Sequence, residues 1–258
     1  MIPKIIHYCW FGGKPLPKSA EKCIASWRKF LPDYEIKEWH ESNFDVNCTR
    51  YTAEAYAARK YAYVSDYARF WVLYRYGGLY FDVDVEIIKP LDDIIARGPF
   101  MGCEEAYTEG ATPSALGVAP GLGLGVNPGL GLGVNPGLGL VKKLLDDYEA
   151  TSFEAENQDR NAGIYKTVVT YTTELLVERG LKNTNEIQLV DGIYIYPKEY
   201  FNPLEHINQL KITGNTRSIH WYDGTWQPKR YKIFRRLVRM IGPKVYSAFL
   251  RARRLLKR

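Results

Sequence analysis

AYVSDYARFWVLYRYGGLYFDVDVE, residues 62–86, decides how the rest of the chain is read. Its first part belongs to a helical pattern over 54–76 that Gly77-Gly78 closes as a C-terminal stop. Its second part reads as a strand over 79–86. Successive side chains on an extended strand turn to opposite faces, so Asp82 and Asp84 share one face while Phe81, Val83 and Val85 take the other. Two carboxylates held this close raise each other's proton affinity unless a cation lies between them. Oxygen ligands at this spacing suit a hard divalent ion, Mg2+ or Mn2+. An edge strand with a solvated acidic face would carry the same D-x-D, so the pair alone does not settle its use.

Upstream of the two aspartates, within the helical pattern, stands SDYAR, residues 65–69. Asp66 and Arg69, three residues apart, lie about 60° apart around the helix and can present a carboxylate and a guanidinium to one ligand. Asp66 could accept from sugar or ribose hydroxyls, and Arg69 could bind phosphate or a sugar oxygen. The same spacing also makes an ordinary intrahelical ion pair.

Outward from this core, Lys4 to Trp10 is a short apolar run ending at Gly12-Gly13, which fits a buried first strand. A helix over 19–30, stopped by Pro32, and a strand over 34–40 complete a βαβ opening, which predicts a parallel sheet. GGKPLPKS at 12–19 lacks the Gly-Lys-Ser/Thr ending of a phosphate loop, and its two prolines remove backbone donors. If a nucleotide binds, a metal must do the phosphate work. Downstream, a short helix near 91–96, a strand near 99–104, helices near 141–150 and 166–179, and strands at 186–190, 193–196 and 216–221 are expected. Residues 115–140 hold a period-eight repeat, LGVAP at 116 and LGVNP at 124 and 132, with GLGL between copies. Three glycine-rich copies are too few for a repeat domain, and the segment reads as an expanded loop inserted in the domain.

At 258 residues the chain can build one sizeable core. Its net charge of +6 is unevenly placed: twelve Lys or Arg stand between Lys229 and Arg258, with no acid after Asp223. The body, residues 1–228, is therefore acidic and the overall basicity says nothing about its site. In the tail, Ile233, Phe234, Leu237, Val238 and Ile241 recur at helical spacing, with basic residues on the other faces. After Pro243 the pattern resumes at Val245, Tyr246, Phe249, Leu250 and Leu256. Basic amphipathic helices of this kind lie on anionic membrane surfaces, so 229–258 is expected to do so. A helix packed on its own domain with solvated arginines is the alternative, and no nucleic-acid-binding motif supports a nucleic-acid partner. Cys9, Cys23, Cys48 and Cys103 have neither disulfide-framework nor metal-finger spacing. With no signal peptide and no run of 18 apolar residues, the expected location is the cytoplasm, peripheral at the inner face of a bacterial membrane.

The string 62–86 resembles the sugar-nucleotide region of the DxD-containing glycosyltransferases of family 32, of the bacterial capsular and exopolysaccharide type, and of the related clostridial glucosylating toxins. Their pattern, S-D-x-x-R and then G-G-x-Y-x-D-x-D, is filled here by Ser65, Asp66, Arg69, Gly77, Gly78, Tyr80, Asp82 and Asp84. IPKIIHYCWFGG at 2–13, IYPKEYFNP at 195–203 and IHWYDGTW at 219–226 look like the family's opening strand and later blocks. The resemblance implies a single α/β domain of the GT-A type, a Rossmann-like mixed, mostly parallel sheet flanked by helices.

It also implies roles. Trp10 would stack on the base of a nucleotide-sugar donor, a UDP-sugar first of all. Asp66 and Arg69 would hold the donor sugar and its phosphate and serve as the catalytic pair, with Tyr80 beside the nucleotide. Asp82 would contact ribose and, through a bound water, the metal, Asp84 would bind the metal directly, His220 would complete the metal site, and Trp226 would close over the donor. The implied reaction moves a hexosyl or N-acetylhexosaminyl group, with retention, to a lipid-linked glycan or polysaccharide acceptor in cell-surface polysaccharide synthesis. A toxin-like transfer to protein is the second enzyme reading. A non-catalytic binder of metal, glycan or nucleic acid is the alternative from another class.

Overall fold

The computed structural model of the protein describes residues 1–105, 125–156, 167–205 and 209–223. β1 (Ile5–Cys9), α1 (Lys18–Phe30) and β2 (Glu35–Trp39) form the expected βαβ opening, with β1 and β2 parallel. The single helix expected over 54–76 is two, α2 (Arg50–Ala57) and α3 (Tyr61–Tyr76). Arg59, at a left-handed φ of 57°, breaks the run, and Thr49 caps the start of α2 by accepting from the Thr52 N–H.

α3 ends where the glycine pair stops it. Gly77 and Gly78 both take positive φ, 63° and 97°, and a Cβ at Gly78 would collide with the Ile5 carbonyl. Only glycines let the chain leave the helix and enter β3 (Gly78–Tyr80) this close to β1. The strand expected over 79–86 is likewise interrupted. After Tyr80 the chain turns, with the Val85 N–H bonded to the Asp82 carbonyl, before β4 (Val85–Ile87) leaves the main sheet. Asp82 and Asp84 thus sit on a turn, and strand alternation is not what brings them together.

The chain continues through α4 (Asp92–Arg97), β5 (Phe100–Glu105), β6 (Gly125–Val134), α5 (Gly139–Glu149), α6 (Phe153–Glu156) and α7 (Val168–Glu178). Then follow β7 (Gln188–Val190), β8 (Ile193–Tyr196), α8 (Lys198–Phe201), β9 (Leu204–Glu205), β10 (Gln209–Leu210) and β11 (Ser218–His220). Seven strands form one sheet in the order β2-β1-β3-β6-β5-β8-β7, of which β6 and β7 run against the other five. This is the expected mixed, mostly parallel sheet of a single α/β domain. Two apolar clusters cover its faces. One gathers Tyr67, Phe70 and Leu73 of α3 with Leu144 and Leu176 of α5 and α7; the other gathers Ile24 and Trp27 of α1 with Phe81, Phe100 and Phe201.

The reading of 115–140 as an inserted loop is overturned where the segment is described; residues 115–124 lie outside the described residues. Residues 125–134 are β6, buried along its whole length between β3 and β5, and Gly139 opens α5. Glycine is depleted in strands because it has no side chain to pack. Here the empty space is used. A Cβ at Gly129 would meet the Asp82 carboxylate, one at Gly131 would crowd Phe201 and Phe81, and one at Gly133 would fall on the Phe100 ring. Leu132 and Val134 pack in the cluster on the opposite face.

Candidate active site

The order β2-β1-β3 makes the C-terminal ends of β1 and β3 a switch point, since the chain leaves β1 to one side and returns on the other. Open α/β sheets bind ligands at such points. Trp10 directly follows β1; it is half-buried and its indole N–H donates to the Lys14 carbonyl at 2.5 Å. Asp82 and Asp84 follow β3. β11 pairs antiparallel with β4, His220 opposite Val85, and so delivers a histidine from the far end of the described chain to Asp84.

Asp82, Asp84 and His220 each offer a ligand atom, and these atoms all lie within 4.8 Å of one another. Asp84 Oδ1 accepts from His220 Nε2 at 3.0 Å, and Oδ2 accepts from the Asp223 N–H at 2.9 Å. Burial alone would depress His220, but the charge and hydrogen bond of Asp84, with Asp82 and Glu104 nearby, lift its pKa to about 9. Burial alone would raise Asp84, and the same histidine and the Asp223 N–H hold it below the usual carboxylate range. Two carboxylates and an imidazole fit Mg2+ or Mn2+ in donor type. His220 Nε2 has one lone pair, so ligation to a cation and donation to Asp84 exclude each other. His220 Nδ1 is buried with no partner among the described residues.

Arg69 does more than pair within its helix. Its Nη2 lies 2.9 Å from Asp66 Oδ1 and 3.4 Å from Asp82 Oδ1, and the guanidinium sits 4.9 Å over the Tyr80 ring. The side chain is 4% exposed, and its Nη1 has no partner among the described residues. A buried donor of this kind costs stability unless something meets it. Burial pushes Asp66 up to about 7 against the pull of Arg69, with Asp82 adding to the rise. Tyr80 is fully buried and lies under the acids: its hydroxyl donates to Asp82 Oδ1 at 3.2 Å. Burial holds its pKa well above the usual value, so it remains a donor. Trp226 and the tail 229–258 lie outside the described residues.

Sequence reasoning missed a second group of residues that closes around these. The Gly129 carbonyl accepts the Asp82 N–H at 2.9 Å. Asn127 Oδ1 accepts the Gly129 N–H at 2.7 Å, and its Nδ2 donates to Glu104 Oε2 at 2.9 Å. Asn202 Nδ2 bridges the Glu104 carbonyl and the Tyr222 hydroxyl at 2.9 and 2.6 Å, and the Tyr222 ring lies 4.0 Å from that of His220. Asn202 stands in the YFNP block, where its place between Phe201 and Pro203 was a usable signal. Asn127 and Gly129 were hidden in a stretch read as a loop.

Residues 17–101 match the family described as the glycosyltransferase sugar-binding region containing the DXD motif, and Asp82-Val83-Asp84 is that motif here. The chain is 26% identical over 111 residues to inositol phosphoceramide mannosyltransferase 1 of Schizosaccharomyces pombe, covering 39% of this chain and 33% of that one. It is 34% identical over 102 residues to inositol phosphoceramide mannosyltransferase 3 of the same organism, covering 36% of this chain and 27% of the relative. The matched stretch thus spans about a third or less of these relatives. Among solved structures, PaToxG glycosyltransferase is similar at 19% identity and a TM-score of 0.47, with 69% of each chain covered; at that score the likeness carries no weight for function.

Proposed function

We propose that the protein is a metal-dependent glycosyltransferase that takes a sugar from a nucleotide-sugar donor, a UDP-sugar first of all. The observation that carries this reading is the convergence of Asp82, Asp84 and His220 with a buried Arg69–Asp66 pair at the β1/β3 switch point. The match of residues 17–101 to the DXD-containing sugar-binding region supports it.

Breaking the bond between an anomeric carbon and a diphosphate leaves growing negative charge on the phosphate and positive character on the sugar. A divalent cation held by Asp82, Asp84 and His220 would supply Lewis-acid stabilisation of the diphosphate. Arg69 adds fixed positive charge in a low-dielectric setting, where it acts most strongly. Asp66, paired with Arg69, accepts from sugar hydroxyls and keeps the guanidinium in place. Tyr80 fixes the Asp82 carboxylate from below. Trp10 offers an indole face to the base at the end of β1. Transfer proceeds with retention, the leaving phosphate taking the acceptor's proton.

The acceptor is a lipid-linked glycan or polysaccharide intermediate. The names of the relatives, which place mannose on inositol phosphoceramide, support a lipid headgroup as acceptor. The basic tail 229–258 docks the enzyme on an anionic membrane at the cytoplasmic face, in the synthesis of cell-surface polysaccharide. No described helix is long and apolar enough to cross a membrane. Deleting 229–258 releases the protein from anionic liposomes while donor hydrolysis survives; undiminished binding contradicts the docking role.

A panel of nucleotide sugars assayed for Mn2+-dependent hydrolysis tests the whole reading. One donor is turned over by the wild type and not by Asp84→Ala. Turnover of none, or equal turnover by both proteins, contradicts it.

A further inference from the structure

The tandem repeat is the sequence motif that the proposed function leaves unused. Residues 121–140 read GLGLGVNP twice and then GLGL, and GVAP at 117–120 stands before them where another GVNP would fit. β6 draws Gly125–Val134 from this run. Its demands are strict: glycine at 129, 131 and 133, where a Cβ would meet Asp82, Phe201 and Phe100, and apolar side chains at the buried positions Val126, Leu130, Leu132 and Val134. The repeat meets those demands twice. If residues 121–128 are removed, the strand positions counted back from α5 are filled by 117–120 and then 129–134. Only one strand residue changes: Ala119 takes the place of Asn127. Eight is an even number, so every side chain keeps its face. The connection from β5 to β6 falls from nineteen residues, 106–124, to eleven, ample for an antiparallel pair.

We propose that the octapeptide is an interchangeable module of the central sheet, and that Asn127 is a positioning residue whose presence at the site depends on which copy fills β6. Asn127 ties two parts of the site together. Its Nδ2 holds Glu104 Oε2, and its Oδ1 holds the N–H of Gly129, whose carbonyl holds the N–H of Asp82. Alanine breaks both links and leaves the strand intact. A chain one copy shorter therefore keeps its fold and loosens its metal-binding turn. The role of Asn127 rests on the metal reading of the site; the interchange of copies does not.

Four chains test this by thermal unfolding and by titration with Mn2+ alone: the deletion Δ121–128, the deletion Δ122–128, Asn127→Ala in the full chain, and Δ121–128 carrying Ala119→Asn. Δ121–128 unfolds in one transition within about 5 °C of the full chain. Δ122–128, one residue less deleted, puts Val118, Ala119, Pro120 and Gly121 at strand positions 125–128, loses the buried Val126 and inserts proline opposite Gly102. It unfolds at least about 10 °C lower or aggregates. Δ121–128 and Asn127→Ala lose Mn2+ affinity by the same factor, about fivefold, and Ala119→Asn restores it in the shortened chain. An unfolded Δ121–128, or one no more stable than Δ122–128, overturns the module. Failure of Ala119→Asn to restore affinity overturns the role of Asn127. A full chain that binds no Mn2+ removes the metal reading and that role with it, while the unfolding comparison still decides the module.

Discussion

Asp82 occupies the space that a side chain at residue 129 would need: a Cβ built on Gly129 falls inside the Asp82 carboxylate, and the same glycine's carbonyl accepts the Asp82 N–H. The middle strand of the sheet is thus shaped around one member of the acidic pair. Gly129→Ala forces the carboxylate aside, away from Tyr80 and Arg69. The expected outcome is a folded protein, destabilised by about 1–3 kcal/mol, with Mn2+ affinity reduced at least about tenfold. Calorimetric Mn2+ titration beside urea unfolding checks it; unchanged affinity contradicts the placement.

The two-stranded β4–β11 sheet exists, on this account, to bring His220 to Asp84. His220→Ala leaves Asp84, half-buried beside Asp82, without its imidazole partner. Mn2+ affinity falls about a hundredfold or less, because two acidic ligands remain, whereas Asp84→Ala removes measurable binding. Reversal of that order in titration would assign the metal to other residues.

Arg69 is the only buried cation paired with both Asp66 and Asp82 among the described residues. Removing one partner of a buried ion pair costs far more than removing both. Arg69→Met should destabilise by about 3–5 kcal/mol, and adding Asp66→Leu should recover part of that loss. Denaturant midpoints of the two single variants and the double variant give the coupling; strict additivity would show that the pair is not coupled.

His7, on β1, sets a pH limit on the fold. Trp39 Nε1–H donates to its Nδ1 at 3.0 Å, so Nε2 carries the proton and donates to the Gly77 carbonyl at 2.9 Å. Burial, with Lys37 nearby, lowers its pKa to about 4 although the Gly77 bond opposes the shift. The unfolded chain takes up this proton near pH 6.5 and the folded chain only near 4, so stability is lost as pH falls between those values. The loss reaches about 3 kcal/mol at the low end. Urea unfolding at pH 7 and pH 5 should show the fall in the wild type and a smaller one in His7→Phe; equal falls contradict it.

The parts of the molecule legible in sequence were those where local chemistry is repeated by tertiary structure. The βαβ opening, the glycine stop at Gly77-Gly78 and the spacing of Asp66 and Arg69 all follow from short-range rules. Asp82 and Asp84 were rightly grouped, but for a wrong reason: a turn closed by Val85 holds them together, and no continuous strand does. β6 was illegible because glycine in a strand is explained only by what fills its space, namely Asp82, Phe201 and Phe100, and these come from elsewhere in the chain. The break at Arg59 was hidden for a similar reason. Its neighbours read as good helix, and the packing of α2 against α3 requires the turn. Glu104 carries no motif at all, and Asn127 stands in a glycine-rich repeat that reads as a loop.

Anomalous scattering at the manganese edge, from crystals grown with Mn2+ and UDP, tests the central proposition most directly. The predicted result is a single strong peak within about 2.1 Å of an Asp84 carboxylate oxygen, with the diphosphate beside it and His220 turned from Asp84 toward the ion. A peak at other residues, or a nucleotide bound with no metal between it and Asp84, contradicts the account.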